Sequence, residues 1–344
     1  MNKIKVAING FGRIGRSIFR ILQNEEEFEI VAINDIDPLI ENHAYLLNYD
    51  SIYGSLTNKV KVNNQKDSLL SNRRETLFYS ESKIEKVPWY SNNIDYVIDS
   101  SGIYTNVVGA HKLIQSGIKK VIVTHTPKDS IDQTIIIGAN EKVYDPYKHH
   151  VISSSICDAN ACAPVLKTLS DQVGIIDGFI TTLHPWLGYQ NLLDGNLQSV
   201  ISPGHYWKDF ALGRASTESL IPKPTTLMPA INKALPDLNL NIEAMSFRIP
   251  TSIVSASDIV LTLKRRISEN DLMEIFYNLS KKYPDVVLIN EEPLVSIDFK
   301  GIKQSCVIDI RWIKLINEQK MKLVLWYDNE WSYSQRVVDL AKLL

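Results

Sequence analysis

The sequence predicts an α/β protein in two parts: a doubly wound, mostly parallel sheet in the first half and an α+β domain with a mostly antiparallel sheet in the second. Three observations carry that expectation. At 344 residues the chain holds about two domains of roughly 150 residues each. Up to residue 156, short apolar runs alternate with helix-like intervals, the pattern of a sheet wound on both faces. From residue 157 onward a series of strand-like segments is read as a second sheet, extending to 326, and residues 327–344 as a C-terminal helix returning to the first domain.

Composition narrows the function classes. The 44% apolar and 22% charged content is that of an ordinary soluble globular protein. Lys plus Arg (37) nearly balances Asp plus Glu (39), for a net charge of -2, and no basic stretch is present to neutralise a run of phosphates. Nucleic acid and anionic membrane are therefore excluded as expected partners. No apolar run approaches the ~20 residues of a membrane span, and Met1 to Val6 reads as a strand rather than a signal peptide, so the expectation is a cytoplasmic protein. Three cysteines, an odd number, point to free thiols. Cys157 and Cys162 have no third or fourth Cys or His ligand nearby at a zinc-like spacing, and no metal is expected.

The elements follow in order. Ile4 to Asn9 is an apolar run ended by Gly10, with Gly12 and Gly15 ahead of an amphipathic stretch, Arg16 to Gln23: strand, tight turn, helix. A second strand, Phe28 to Ile33, ends at Asn34-Asp35. Such a turn lets backbone approach a pyrophosphate at the helix N-terminus, and an acid ~20 residues on accepts hydrogen bonds from the adenosine ribose. The first domain is thus read as a Rossmann domain, with Asp35 favouring NAD over NADP because a carboxylate repels a 2'-phosphate. Asp95 to Asp99, Lys120 to Thr124 and Gln133 to Gly138 continue the strands, and Asn106 to Ser116 a helix. In the second domain Ile176 to His184, Asn241 to Arg248, Ser255 to Arg265, Cys306 to Arg311 and Met321 to Tyr327 read as strands, and Ser334 to Leu344 as a helix. Between the first two strands Gly188 to Thr226 reads as a long loop, a feature that in compact domains is usually functional.

Chemistry concentrates at Cys157. The thiol follows a polar turn, Ser153-Ser-Ser155, and precedes the apolar helical pattern Val165 to Leu169. A helix N-terminus favours the thiolate and offers N–H groups to an oxyanion. The whole chain resembles the glyceraldehyde-3-phosphate dehydrogenase family, on Ile8-Asn-Gly-Phe-Gly-Arg-Ile-Gly-Arg16, Asn34-Asp35, Leu46-Leu-Asn-Tyr-Asp-Ser51, Ser101-Gly102, His150-Val-Ile-Ser153, Cys157 with Asn160, Thr181-Thr-Leu-His184, Phe247-Arg-Ile-Pro-Thr251 and Trp326-Tyr-Asp-Asn-Glu330 with Tyr333. The resemblance implies that Cys157 attacks an aldehyde and His184 is the general base, with a thioester left after hydride passes to NAD. It further implies cofactor contacts from Gly10, Gly12, Arg13, Ile14, Asp35, Thr124 and Asn329, with Tyr333 packing near the nicotinamide ring, and a homotetramer. Ser82 stands where an arginine usually lies near the adenine.

The resemblance breaks at the positions that hold phosphate. Ile156 and Asp158 replace the small hydroxyl residues flanking the nucleophile, and a carboxylate there repels a phosphate by about 4 kcal/mol per unit-charge pair at ~4 Å and an effective dielectric of ~20. Asp158 either faces the thioester or lies exposed on the first helical turn, stabilised by the dipole. After His184 the chain reads Pro-Trp-Leu187-Gly-Tyr189. Leu212 stands where an arginine is expected, and a Thr-Gly pair is replaced by Thr225-Thr226. These apolar residues either shape the acyl pocket or repack a loop. Arg248 keeps the substrate-phosphate pattern, so Arg248, Asp158 and Thr225 are the expected substrate contacts, with Lys223 a further cation. The expected function is NAD-dependent oxidation of a small sugar or sugar-phosphate aldehyde, its thioester discharged by water. The alternatives are a conventional phosphorylating glyceraldehyde-3-phosphate dehydrogenase and a catalytically retired NAD-binding or interaction protein.

Overall fold

A computed structural model describes residues 3–63, 65, 67–71, 74–128, 130–195 and 210–344. The chain divides into two units, Met1–Ile156 with Tyr333–Leu344, and Cys157–Ser332.

The first unit opens with β1 (Ile4–Asn9), α1 (Arg13–Leu22), β2 (Phe28–Asn34), α2 (Ile40–Asn48), and a hairpin of β3 (Tyr49–Asp50) and β4 (Gly54–Ser55). There follow β5 (Lys61–Asn63), β6 (Ser68–Ser71), β7 (Arg74–Tyr79), β8 (Tyr96–Asp99), α3 (Asn106–Gln115), β9 (Lys120–Val123), β10 (Gln133–Thr134) and β11 (Val151–Ser153). The strands form one sheet in the order β10-β11-β9-β8-β1-β2-β7-β6-β5. β1 pairs in parallel with β2 on one side and β8 on the other, so the winding reverses at β1. A doubly wound sheet binds ligands in the crevice beyond the strand ends at that reversal. The centre of the sheet is fully apolar: Val6, Ala7, Ile8, Ile33, Val97, Ile98, Val121 and Ile122 are all buried, as strands covered on both faces must be.

Two boundaries differ from expectation. α1 begins at Arg13 rather than Arg16, because the Gly12 carbonyl already accepts from the Arg16 N–H. The run from Gln133 stays a strand only to Thr134: the Asn140 side chain donates to the Thr134 carbonyl and accepts from the Ile136 N–H, replacing a neighbouring strand.

The second unit contains α4 (Cys157–Gln172), β12 (Ile175–Pro185), β13 (Ile221–Pro224), α5 (Leu227–Ala234), β14 (Ile242–Ile249), β15 (Ser255–Leu263), α6 (Glu269–Lys282), β16 (Val287–Asn290), β17 (Cys306–Ile316) and β18 (Lys320–Tyr327). α7 (Trp331–Leu343) begins in this unit and continues into the first. The sheet order is β13-β14-β12-β15-β18-β17-β16, antiparallel except for β12 with β14 and β16 with β17. α4 packs on one face against β12, β17 and β18, burying Val165, Leu166 and Leu169. α6 has a clear sequence signal that the strand reading passes over: Ser268 accepts from the Asp271 N–H as N-cap, and Leu272, Ile275, Phe276 and Leu279 form one buried stripe. Of the long loop expected over 188–226, residues 196–209 lie outside the described residues. The rest includes a 3-10 turn, Phe210–Gly213, and β13.

Candidate active site

At the strand ends of the first unit, side chains lock three neighbouring strands together. Asn34 donates to Asn9 and Asn9 to Asp99, each at 2.8 Å, while the Ser101 hydroxyl donates to Asp99 at 2.6 Å. The turn after β1 is held so closely that its glycines are obligatory. Gly10 has φ +87°, and a Cβ there would meet the Ser101 Cα at 2.4 Å; at Gly15 it would meet the Gly10 carbonyl oxygen at 2.2 Å. Gly12 differs. A Cβ at Gly12 would meet nothing within 4 Å, and no side chain caps the α1 N-terminus that it begins. Open space in front of uncapped N–H groups fits a pyrophosphate.

Asp35 is half-buried beside that turn. One carboxylate oxygen accepts from the Phe11 N–H at 2.6 Å and the other from the Asp37 N–H at 3.0 Å, so the acid also fixes the turn itself. Arg13 pairs with Asp50 at 2.5 Å, and Ile14 and Thr124 are half-buried, Thr124 donating to the Asp99 carbonyl. Ser82 is exposed. The Tyr333 hydroxyl donates to the Ser155 carbonyl at 2.9 Å and lies 2.8 Å from the Ser154 hydroxyl, bracing a turn in which Ser155 has φ +62°.

In the second unit Cys157 is the first residue of α4. Its Sγ lies 3.8 Å from His184 Nε2. His184 stands near the end of β12, and its Nδ1 is 2.8 Å from the Pro185 carbonyl oxygen. That carbonyl can only accept, which assigns the proton to Nδ1 and leaves Nε2 as the basic nitrogen facing sulfur. Pro164 lies within α4 and lacks the N–H that would bond the Asn160 carbonyl; Ser305 donates to that carbonyl instead, at 3.5 Å.

Asp158 is buried, so of the two placements open in the sequence it does not take the exposed first-turn one. Its Oδ1 accepts from the Tyr327 hydroxyl at 2.9 Å and from the Cys157 thiol at 3.4 Å. Tyr327 in turn accepts from Ser257, which also takes a bond from Cys162. Sequence reasoning missed Tyr327 and Ser257; their signal is strand register, because Thr182 pairs with Ser257 and Tyr327 with Ser255 across the sheet.

Burial pushes the Cys157 thiol well above its ordinary range and the Asp158 carboxylate pushes it further, while Arg248 acts the other way. Burial, with Arg248 adding repulsion, lowers His184 to about 4.

Arg248 is paired laterally with His184 in the sheet and is buried with its Nε lacking a hydrogen-bond partner. Lys223, half-buried on β13, is lowered to about 8 by burial and by Arg248, with the Asp158 carboxylate acting the other way. Thr225 is half-buried and its hydroxyl accepts from the Leu227 N–H at the start of α5. Leu212 is buried, whereas Trp186, Leu187 and Tyr189 are half-buried. Asn329 sits in a turn fixed by Asp328, whose carboxylate accepts from Gly301, Glu330 and Trp331 N–H groups. Asn329 is buried, and its Oδ1 has no hydrogen-bond partner.

Residues 4–107 match the family model described as glyceraldehyde 3-phosphate dehydrogenase, NAD binding domain, and residues 156–329 that of the C-terminal domain. The chain belongs to the glyceraldehyde-3-phosphate dehydrogenase family. It is 38% identical to the glyceraldehyde-3-phosphate dehydrogenase of Geobacillus stearothermophilus over 98% of this chain and 97% of that one. Identity is 35% to the cytosolic enzyme of Craterostigma plantagineum and 36% to that of Chlamydomonas reinhardtii, over 99% and 98% of this chain and 98% and 96% of theirs. The protein is an NAD-dependent oxidoreductase of this family, of the α/β class expected from its sequence. Among the described residues no helix is long and apolar enough to cross a membrane.

Proposed function

We propose that this family member oxidises a small sugar or sugar-phosphate aldehyde to a carboxylate, with water rather than phosphate discharging the thioester. The observation that carries the proposal is the buried Asp158 carboxylate, 3.4 Å from the Cys157 sulfur.

When bound, NAD supplies the hydride acceptor. Gly10, Gly12, Arg13, Ile14, Asp35 and Thr124 would hold its adenosine and phosphate parts, and Asn329, with its unsatisfied carbonyl oxygen, would accept from the carboxamide. Tyr333 keeps the Ser154-Ser155 turn in place ahead of the nucleophile. Cys157 adds to the aldehyde carbon: the S–C bond forms, and its proton moves by way of His184 Nε2 to the new hydroxyl. His184 then takes the hydroxyl proton as the carbonyl reforms and the C–H hydride departs, leaving a thioester on Cys157. Asp158 orients the water, whose oxygen bonds to the acyl carbon as the C–S bond breaks; the departing sulfur takes the proton held on His184, and the protons of the water leave to solvent as the carboxylate forms. The Asp158 carboxylate also repels an incoming phosphate dianion. Arg248, and Lys223 beside it, hold an anionic group of the substrate, with Thr225 at the rim.

The exposed face of the catalytic sheet carries Phe179, Met245 and Val260, an apolar surface that supports assembly into a homotetramer. Two of the relatives are named cytosolic, and a cytoplasmic location is proposed here too.

Arg248 also favours a second reading, a conventional phosphorylating enzyme acting on glyceraldehyde-3-phosphate. The two readings separate on the product. In heavy-oxygen water without phosphate, the first gives multiple turnovers and a labelled carboxylate; the second stops after one NADH per site. Asp158→Thr is expected to make the rate rise with phosphate, and an unchanged phosphate response in that variant counts against the role of Asp158.

A further inference from the structure

We infer that His43, on α2, is a positioning residue for cofactor selectivity: it braces both residues whose backbone N–H groups aim the Asp35 carboxylate at the adenosine ribose. The inference rests on the reading of Asp35 as the ribose acid, and it stands whether water or phosphate discharges the thioester.

Asp35 is aimed by two N–H groups from different segments. Phe11, in the turn after β1, donates to Oδ2 at 2.6 Å, and Asp37 donates to Oδ1 at 3.0 Å. His43 touches both of these residues. Its Nε2 lies 2.9 Å from the Asp37 carbonyl oxygen, and its ring meets the Phe11 ring edge-on with centroids 5.9 Å apart. A carbonyl can only accept, so Nε2 carries the proton and donates it. The same nitrogen is 3.9 Å from Asp35 Oδ1, and Phe78 of β7 packs on the imidazole at 5.2 Å between centroids. Asp37 has further bonds to α2, its carboxylate accepting from the Leu39 N–H at 3.0 Å and the Asn42 amide at 3.2 Å, but these are exposed to competing water. The bond from His43 comes from a buried side chain.

Packing alone does not account for a histidine at this position. His43 is 4% exposed, and among the described residues its Nδ1 has no hydrogen-bond partner. A stranded buried nitrogen is destabilising, and a leucine of similar size avoids it. What the histidine adds is an N–H group delivered to the short connection between β2 and α2, where Asp35 and Asp37 lie. A carboxylate fixed in this way presents its remaining lone pairs in one direction, to ribose hydroxyls, and repels a 2'-phosphate placed there. With the brace removed, the 35–37 turn relaxes, and the acid both holds the ribose less well and yields more readily to the phosphate.

The test uses the full chain with NAD or NADP and no aldehyde, read by fluorescence titration. His43→Leu fills the space and removes the donor; it is expected to weaken NAD binding roughly three- to tenfold, the effect of losing one buried hydrogen bond, and to narrow the preference for NAD over NADP several-fold. His43→Gln, whose amide nitrogen reaches the position of Nε2, is expected to restore most of both. In an Asp35→Ala background His43→Leu is expected to change NAD affinity no further, because the effect runs through that carboxylate. A Gln variant no better than Leu, or the same loss with and without Asp35, overturns the inference and leaves His43 as packing for α2. Asp35→Ala separates the two layers: affinity and selectivity unchanged in that variant overturn the ribose contact itself, whereas a loss there with none in His43→Leu overturns only the role of His43.

Discussion

The turn after β1 and the pocket around Cys157 belong to the same chain but follow different rules. At the turn, backbone packs on backbone: Gly10 against Ser101 and Gly15 against the Gly10 carbonyl, with no room for any other residue. Around Cys157 the nucleophile and base sit in a shell of side chains, of which Asp158, Tyr327, Arg248 and Lys223 are neighbours that a substitution can change without moving the backbone. Cofactor binding is thus bound to the fold, whereas the fate of the acyl group depends on replaceable side chains.

The sharpest way to break that contrast is at the pair itself. Cys157→Ala is expected to lower turnover at least about ten-thousandfold and His184→Ala about a hundred- to ten-thousandfold, with NAD affinity unchanged in both when measured by fluorescence titration. Loss of NAD binding in either variant erases the separation. From the other side, Gly10→Ala forces a Cβ to 2.4 Å from backbone at φ +87°, and is expected to destabilise the first unit by more than about 2 kcal/mol in denaturant titration. A stable, NAD-binding Gly10→Ala protein would show that the turn is as adjustable as the pocket.

The catalytic pair also makes a pH window. His184 titrates near 4 in the folded protein against about 6.5 unfolded, so the unfolded chain takes up the proton first as pH falls. The corresponding stability, about 3 kcal/mol, is fully present above pH ~6.5 and lost towards pH ~4. Denaturation midpoints of the protein across that range, compared with His184→Gln, measure it; parallel curves contradict a buried neutral imidazole. The smallest effect is at Asp158. Its charge raises the Cys157 thiol, so Asp158→Asn lowers the thiol's proton affinity and is expected to speed iodoacetamide alkylation several-fold at pH ~8. Slower alkylation would mean that the carboxylate serves Cys157 as a base.

How far the sequence could be read follows the same division. The strand, turn and helix of the nucleotide fold were legible from Ile4 to Gln23 because periodicity and glycine spacing are local. So were the ends of β12 and β18, where apolar alternation stops at His184 and Tyr327. The surroundings of Cys157 were not legible: a helix N-terminus argues for a thiolate, and only the fold discloses the Asp158 carboxylate at 3.4 Å, which pushes the thiol up. Asp158 looked equally suited to solvent, because the Tyr327 hydroxyl that holds it comes from a strand far along the chain. β10 ended early for a similar reason, a single Asn140 side chain capturing two backbone groups.

Water discharge is tested most directly by following NADH formation with glyceraldehyde-3-phosphate, erythrose-4-phosphate and unphosphorylated short sugar aldehydes, each with and without inorganic phosphate. The account predicts sustained turnover without phosphate, no acceleration when it is added, and preference for an aldehyde other than glyceraldehyde-3-phosphate. Fast turnover of glyceraldehyde-3-phosphate that requires phosphate would contradict it, and would make Asp158 a tolerated neighbour in a phosphorylating enzyme.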